Sequence, residues 1–240
     1  YTDIDKPSDY FVTNLHTGNG GTQDITGVGF APNWIWIKNI TSAEGSGVFD
    51  TVRGVTKMLC SQNSDGESTT ANSLTAFGSD GFSVGANNRV NQNTNNIVSW
   101  NWKAGTSFTN DASGTGIGSI DSTGSASDTS GFSIVSYTGT GSAGTIKHGL
   151  STAPKMIIAT NRERTSNWLV YHATMDVTGN NTLFLDSTSA KDASQNYWND
   201  TAPTSSVFSV GDRLENNYSS ENIIAYAFAP KQGFSKFGTY

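Results

Sequence analysis

The chain repeats itself, and this constrains its fold more than any single motif. Phe11–Gly20 (FVTNLHTGNG) lines up with Phe132–Gly141 (FSIVSYTGTG) at an offset of 121 residues. Ala31–Asn39 matches Ala153–Asn161 at 122, while Phe82–Gly85 matches Phe208–Gly211 and Asn96–Trp102 matches Asn222–Phe228, both at 126. Four blocks keep their order while the offset drifts by only five residues. Self-similarity at a nearly fixed spacing is the mark of a repeated structural unit. The expected organisation is one β-sandwich repeat over 1–105, a Gly/Ser/Thr-rich linker over 106–130 with one weak strand at Ile117–Ile120, and a second repeat over 131–240. Gly233–Gly238 echoes Gly131–Ser136, so 233–240 reads as the first strand of a further repeat and the chain as a piece of a longer modular parent.

The second copy shows the strand pattern best. Phe132–Tyr137, Thr145–His148, Lys155–Thr160, Trp168–His172, Thr182–Asp186, Val207–Val210 and Asn222–Ala229 are short apolar or alternating runs divided by Gly, Asn, Ser and Pro. Seven short strands with frequent turn signals predict a two-sheet antiparallel sandwich, jelly-roll or lectin-like in class. Val98, Trp100 and Trp102 alternate with Ser99 and Asn101, which predicts a buried aromatic face and a wetter polar one. Trp34–Ile37 is apolar on both faces and reads as a central strand. Helix is expected to be no more than a single turn, near Lys57 or within Ser189–Asn196.

Composition narrows the function. Charged residues are 14% of the chain, against roughly 25% in an average soluble domain. The net charge of −6 lacks the basic footprint of a nucleic-acid binder. No apolar run approaches the ~18 residues of a membrane-spanning helix, so membrane insertion is not expected. The single cysteine, Cys60, flanked by Met58 and Leu59, reads as a buried structural thiol.

Catalytic chemistry finds little footing, and no catalytic residue is assigned. At matched positions His16 faces Tyr137 and His172 faces Asp50, while His148 falls at a one-residue insertion, so no histidine has a histidine counterpart. Glu44, Glu67, Glu163, Glu215 and Glu221 sit in turns or strand ends rather than in the facing pair a glycosidase needs. Gly139–Gly144 spells G-x-G-x-x-G, but it lies between two strand-like runs and reads as a hairpin rather than a phosphate loop. No cofactor is expected, although calcium held by Asp65, Glu67, Asp80 or Asp212 with backbone carbonyls is compatible with the loops. Asp50-Thr51-Val52-Arg53 reads as an ion pair fixing a turn.

The aromatics are the remaining candidates. Trp34, Trp36, Trp100 and Trp102 align with Met156, Ile158, Tyr226 and Phe228, an exchange that core packing tolerates. Tyr197 and Trp198 instead stand beside Asn199 and Asp200 in a polar stretch, a flat apolar face next to hydrogen-bonding groups, which suits a sugar ring. Trp168 after Asn167 is a second platform of the same kind. The competing reading is that these rings plug their own sandwich.

Gly131–Gly144, His148-Gly149-Leu150 with Ala153–Ile158, Tyr197–Phe208 and Gly233–Gly238 together resemble tandem repeat domains of marine bacteriophage tail and virion structural proteins; Asp50–Lys57 and Ser79–Phe82 resemble the other recurrent version. The resemblance implies a concanavalin-like lectin sandwich located in a virion, with host-surface glycans, other virion proteins or further copies of itself as partners. It carries no catalytic residue. The expectation is a non-enzymatic module for structural display and weak glycan adhesion, repetition supplying avidity. The alternative is a purely structural virion or filament element assembling through strand edges. A surface-polysaccharide-degrading enzyme is the third reading.

Overall fold

Short runs of Ile, Val, Phe and Trp pair into antiparallel sheets throughout the chain in a computed structural model, which describes residues 2–193 and 196–238. The chain is all-β, with helix only as isolated turns, and it divides into two compact units. The first is Lys6–Ala104; the second joins Tyr1–Asp5 to Gly105–Tyr240.

In the first unit, β1 (Phe11–Thr17), β3 (Trp34–Asn39), β4 (Ser46–Asp50) and β9 (Asn96–Trp102) form a sheet in the order β1-β9-β3-β4. A second sheet, β2-β8-β7, is made of β2 (Gln23–Ile25), β7 (Leu74–Gly78) and β8 (Gly81–Val84), and β5 (Lys57–Met58) pairs with β6 (Ser68–Thr69). Ile35, Ile37, Phe49 and Ile97 from the first sheet meet Ile25, Leu74, Phe82 and Val84 from the second in one buried cluster. Helix α1 (Asn88–Asn91), a single turn, adds Val90 to it. As expected, β3 is central, between β9 and β4.

The second unit arranges β12 (Phe132–Thr138), β14 (Met156–Asn161), β15 (Leu169–His172), β16 (Leu183–Phe184) and β18 (Asn222–Phe228) in the order β12-β18-β14-β15-β16. β13 (Gly144–Lys147) pairs with β17 (Val207–Val210), and one-turn helix α3 (Leu214–Asn217) precedes β18. Val135, Ile157, Leu169 and Ala225 face Ile146, Phe208 and Val210 across the core. All seven strands expected here are present, with bounds moved by a residue or more at six of them.

Four expectations are corrected. Residues 106–130 are not a linker: β10 (Thr106–Asn110) and β11 (Ser122–Ser127) add two strands beyond β12, and the expected strand at Ile117–Ile120 is only a bridge from Ile120 to Ile146. Ile120 belongs to the core, and the Phe108 ring packs against it, lying across Gly124, where a Cβ would stand 2.7 Å from the ring. The Gly139–Ala143 segment is not a hairpin either, because β13 pairs with β17 rather than β12. The described part of 233–240 makes no strand; Lys231 and Ser235 close a tight turn instead, and Thr239 and Tyr240 lie outside the described residues.

The fourth correction concerns β9. Ser99 and Asn101 point inward and are fully buried, whereas Trp100 and Trp102 are half-buried on the opposite face. Asn101 answers the burial cost by donating to the Val12 carbonyl and to Ser99 Oγ. The rings form a ladder on that face: Trp34 and Trp102 centroids are 4.4 Å apart, Phe11 and Trp102 4.6 Å, and Trp36 and Trp100 6.2 Å. The single helical turns fall at α1, at α2 (Ala112–Thr115) and at α3, with a 3-10 turn at Pro7–Asp9. Lys57 starts β5 instead, and the described part of 189–196 is not helical.

Candidate functional site

The expected sugar platform is core. Tyr197 and Trp198 are 4% and 2% exposed and belong to the buried cluster of the second unit. The Trp198 ring meets Tyr171 edge-on at 6.1 Å, and Tyr197 meets Phe184 at 6.2 Å. The Tyr197 hydroxyl donates to the Asp192 carboxylate at 3.0 Å, and its carbonyl accepts from Asn216 Nδ2 at 2.7 Å. Asn199 and Asp200 both take positive φ, 53° and 45°, a left-handed turn that these two residue types tolerate best. That turn carries the polar pair outward while the rings beside it go in. Trp168 is also buried, stacked on Tyr226 at 6.5 Å on the face of β15 opposite Leu169 and Tyr171.

The proposed calcium ligands do not converge. Asp80 accepts from the Gly27 and Gly29 amides, Asp65 from Asn63 Nδ2, and Glu67 pairs with Arg53 at 3.0 Å, while Asp212 lies exposed in the turn before α3. Among the described residues no three His, Cys, Asp or Glu side chains come together as a metal site. Asp50 and Arg53 form the expected ion pair at 2.5 Å, with both side chains fully buried. Arg53 also donates to the Val48 and Lys57 carbonyls. Asp50 in turn caps the Val52 and Arg53 amides, so the turn after β4 is locked from both sides. Cys60 is buried as expected, but with an Arg89 nitrogen donating to its Sγ.

Each histidine has a structural partner. His148 is fully buried; its Nδ1 accepts the Leu150 amide at 3.1 Å, so the proton sits on Nε2, which donates to the Thr204 carbonyl at 3.1 Å. Burial pushes its pKa down to about 4, against a weaker upward pull from the Thr204 carbonyl and Asp128. His172 pairs with Thr174 Oγ1 on the surface. It stands opposite Met156 in the register, as Asp50 stands opposite Trp34. His16 lies 3.1 Å from the Val90 carbonyl, and burial lowers its pKa.

Sequence matching alone did not single out a pair of buried asparagines in each unit. Asn91 and Asn217 end the one-turn helices and grip the glycine turn after the first strand: the Asn19 amide donates to Asn91 Oδ1 at 2.9 Å, and the Thr140 amide to Asn217 Oδ1 at 2.9 Å. Asn39 and Asn161 donate to the first helical carbonyls, Asn88 at 3.1 Å and Leu214 at 2.8 Å. Gly18 and Gly139 complete the knot. An added Cβ at either would stand 2.2 Å from a backbone oxygen, that of Gln92 or Tyr218. Part of the signal was present: Gly18/Gly139 and Asn39/Asn161 stand inside matched blocks, whereas Asn91 and Asn217 lie between the last two blocks, at the same offset of 126.

Among the described residues, a polar groove and an open sheet edge are candidate binding surfaces. The first is a shallow groove of about 280 Å³ in the second unit, lined by hydroxyl, amide and carboxylate groups that include Asn110, Asp111, Ser122, Thr123, Thr138 and Asn222. The second is the edge of β1. Its seven residues pair with β9 on one side and, among the described residues, with no strand on the other. β12, at the matched position, lies between β18 and β11. β1 carries no Asp, Glu, Lys, Arg or Pro, and its exposed side chains are Thr13, Leu15 and Thr17, with Leu15 63% exposed. β10, at the end of the larger sheet, is likewise free of charge and proline.

The model of one family, described as a domain of unknown function (DUF7483), matches residues 6–240 and so runs through both units and the β10–β11 hairpin without a break. No curated protein and no solved structure is found to match the chain. By this match, covering nearly its whole length, the chain belongs to the DUF7483 family.

Proposed function

We propose that the chain is a non-enzymatic structural element of a virion or filament, two copies of a duplicated lectin-like sandwich that assemble through strand edges. The observation carrying this reading is the uncharged edge of β1, seven residues long and paired with no strand among the described residues. Soluble proteins blunt such edges with lysine, proline or bulges, because an open edge is a template for another strand. The duplication is supported by matched strand orders, β1-β9-β3-β4 and β12-β18-β14-β15, and by the recurring asparagine and glycine knots. Partners of this kind are other particle proteins or further copies of the chain. Light scattering of the purified protein across a concentration series tests the reading: association beyond the 25.4 kDa protomer is expected. A strict monomer that also fails to join any particle component overturns it.

The polar groove around Asn110, Ser122 and Asn222 favours a second role, weak adhesion to host-surface glycans, since sugar hydroxyls are bound by such groups. Glycan-array binding abolished by Asn222→Ala and retained by Trp198→Phe supports adhesion at the groove. Binding that survives Asn222→Ala places it elsewhere.

A further inference from the structure

We propose that β1 pairs antiparallel with β1 of a second copy of this chain, centred on Leu15, joining two four-stranded sheets into one. The inference rests on the structural reading above and names its partner.

The second unit supplies the precedent. Its strand matched to β1, β12, accepts β11 along this edge in an antiparallel register running from Ser122↔Tyr137 to Ser127↔Phe132. This strand position therefore tolerates one more neighbour, and in the first unit no strand among the described residues takes that place. The Cβ atoms that alternate onto the exposed face of β1 read Thr13, Leu15, Thr17, which is the same in either direction. A two-fold axis through Leu15 sets Leu15 against Leu15 and Thr13 against Thr17 of the other copy. Apolar and Thr–Thr cross-strand pairs are both favourable on a shared face. On the other face Asn14 meets His16, so no like charges oppose one another. The edge is self-complementary, as an isologous dimer interface requires. It also covers a leucine that is otherwise 63% exposed.

Sedimentation equilibrium and a cross-linking gel test this pairing. The wild-type chain is expected to populate a species of twice the 25.4 kDa protomer mass. Leu15→Lys, a surface change that sets two ammonium groups face to face, is expected to weaken that association about tenfold or more, with circular dichroism unchanged. In a Cys60→Ser background, Leu15→Cys is expected to give a disulfide-linked dimer under mild oxidation, whereas Ser83→Cys, on β8 in the other sheet, is not. Association that persists undiminished in Leu15→Lys, with no Leu15→Cys cross-link, overturns the β1 pairing and leaves the structural reading standing. A wild-type chain that remains monomeric and joins no particle component removes both.

Discussion

His16 and Tyr137 occupy the same register position, opposite Ile97 and Ile223, and each reaches the same backbone oxygen of a one-turn helix. The His16 ring lies 3.1 Å from the Val90 carbonyl, and the Tyr137 hydroxyl donates to the Asn216 carbonyl at 2.6 Å. A helix this short leaves its carbonyls without intrahelical partners, so the side chain supplies one. Tyr137→Phe removes only the donor and is expected to cost about 1–3 kcal/mol, the penalty for a buried carbonyl left unsatisfied. Urea denaturation checks it; unchanged stability would show that the hydroxyl is dispensable.

Gly139→Ala is expected to be more damaging than its single methyl suggests. The new carbon would stand 2.2 Å from the Tyr218 oxygen, so either the glycine turn or the α3 knot must move. Overpacking of this kind costs about 1–3 kcal/mol or more. Gly18→Ala meets the Gln92 oxygen at the same distance and is expected to act in the same direction. Thermal unfolding of both variants makes the comparison.

Trp198→Ala is expected to destabilise the second unit by about 3–5 kcal/mol, the usual cost of deleting a buried tryptophan. Trp198→Phe keeps most of the apolar volume and is expected to lose less. A loss of glycan binding without loss of stability in Trp198→Ala would contradict the packed position of this ring against Tyr171.

Stability is expected to fall on acidification through His148. Its folded pKa, about 4, lies below the ordinary histidine value of 6.5, so the fold favours the neutral ring. The unfolded chain takes up a proton first as pH drops, and stability, complete above about pH 6.5, drains between there and pH 4. The full excursion is on the order of 3 kcal/mol. His148→Gln is expected to flatten this part of the pH profile in denaturation experiments. A slope unchanged by the substitution would assign the acid sensitivity to other groups.

Strand positions in the second unit were legible because β12, β14 and β18 carry dense Ile, Val, Tyr and Phe bounded by Gly and Asn. β10 and β11 were not, since Phe108 is their one large side chain. They hold their place by backbone pairing and by a glycine that lets this ring lie flat. The inverted faces of β9 were hidden because Asn101 donates to Ser99 Oγ and to the Val12 carbonyl in the interior, which alternation of residue types does not reveal. Tyr197 and Trp198 misled for a related reason: their polar neighbours mark a left-handed turn at Asn199 and Asp200, not an exposed platform. The open edge of β1 depends on which strands fail to pair, and no local pattern encodes that.

β1 pairs with β9, the last strand of its unit, and β12 with β18, the last strand of the other, Phe11 with Trp102 and Phe132 with Phe228. On the ribosome, β1 must therefore wait for nearly the whole first unit to emerge before its sheet can close. β12 does not wait, because β10, β11 and β12 are consecutive and can zip together as they leave the exit tunnel. Local pairing lowers the entropic barrier that long-range closure must surmount. Two units sharing a strand order are thus expected to fold by different routes, the second from a hairpin nucleus and the first by late, long-range capture.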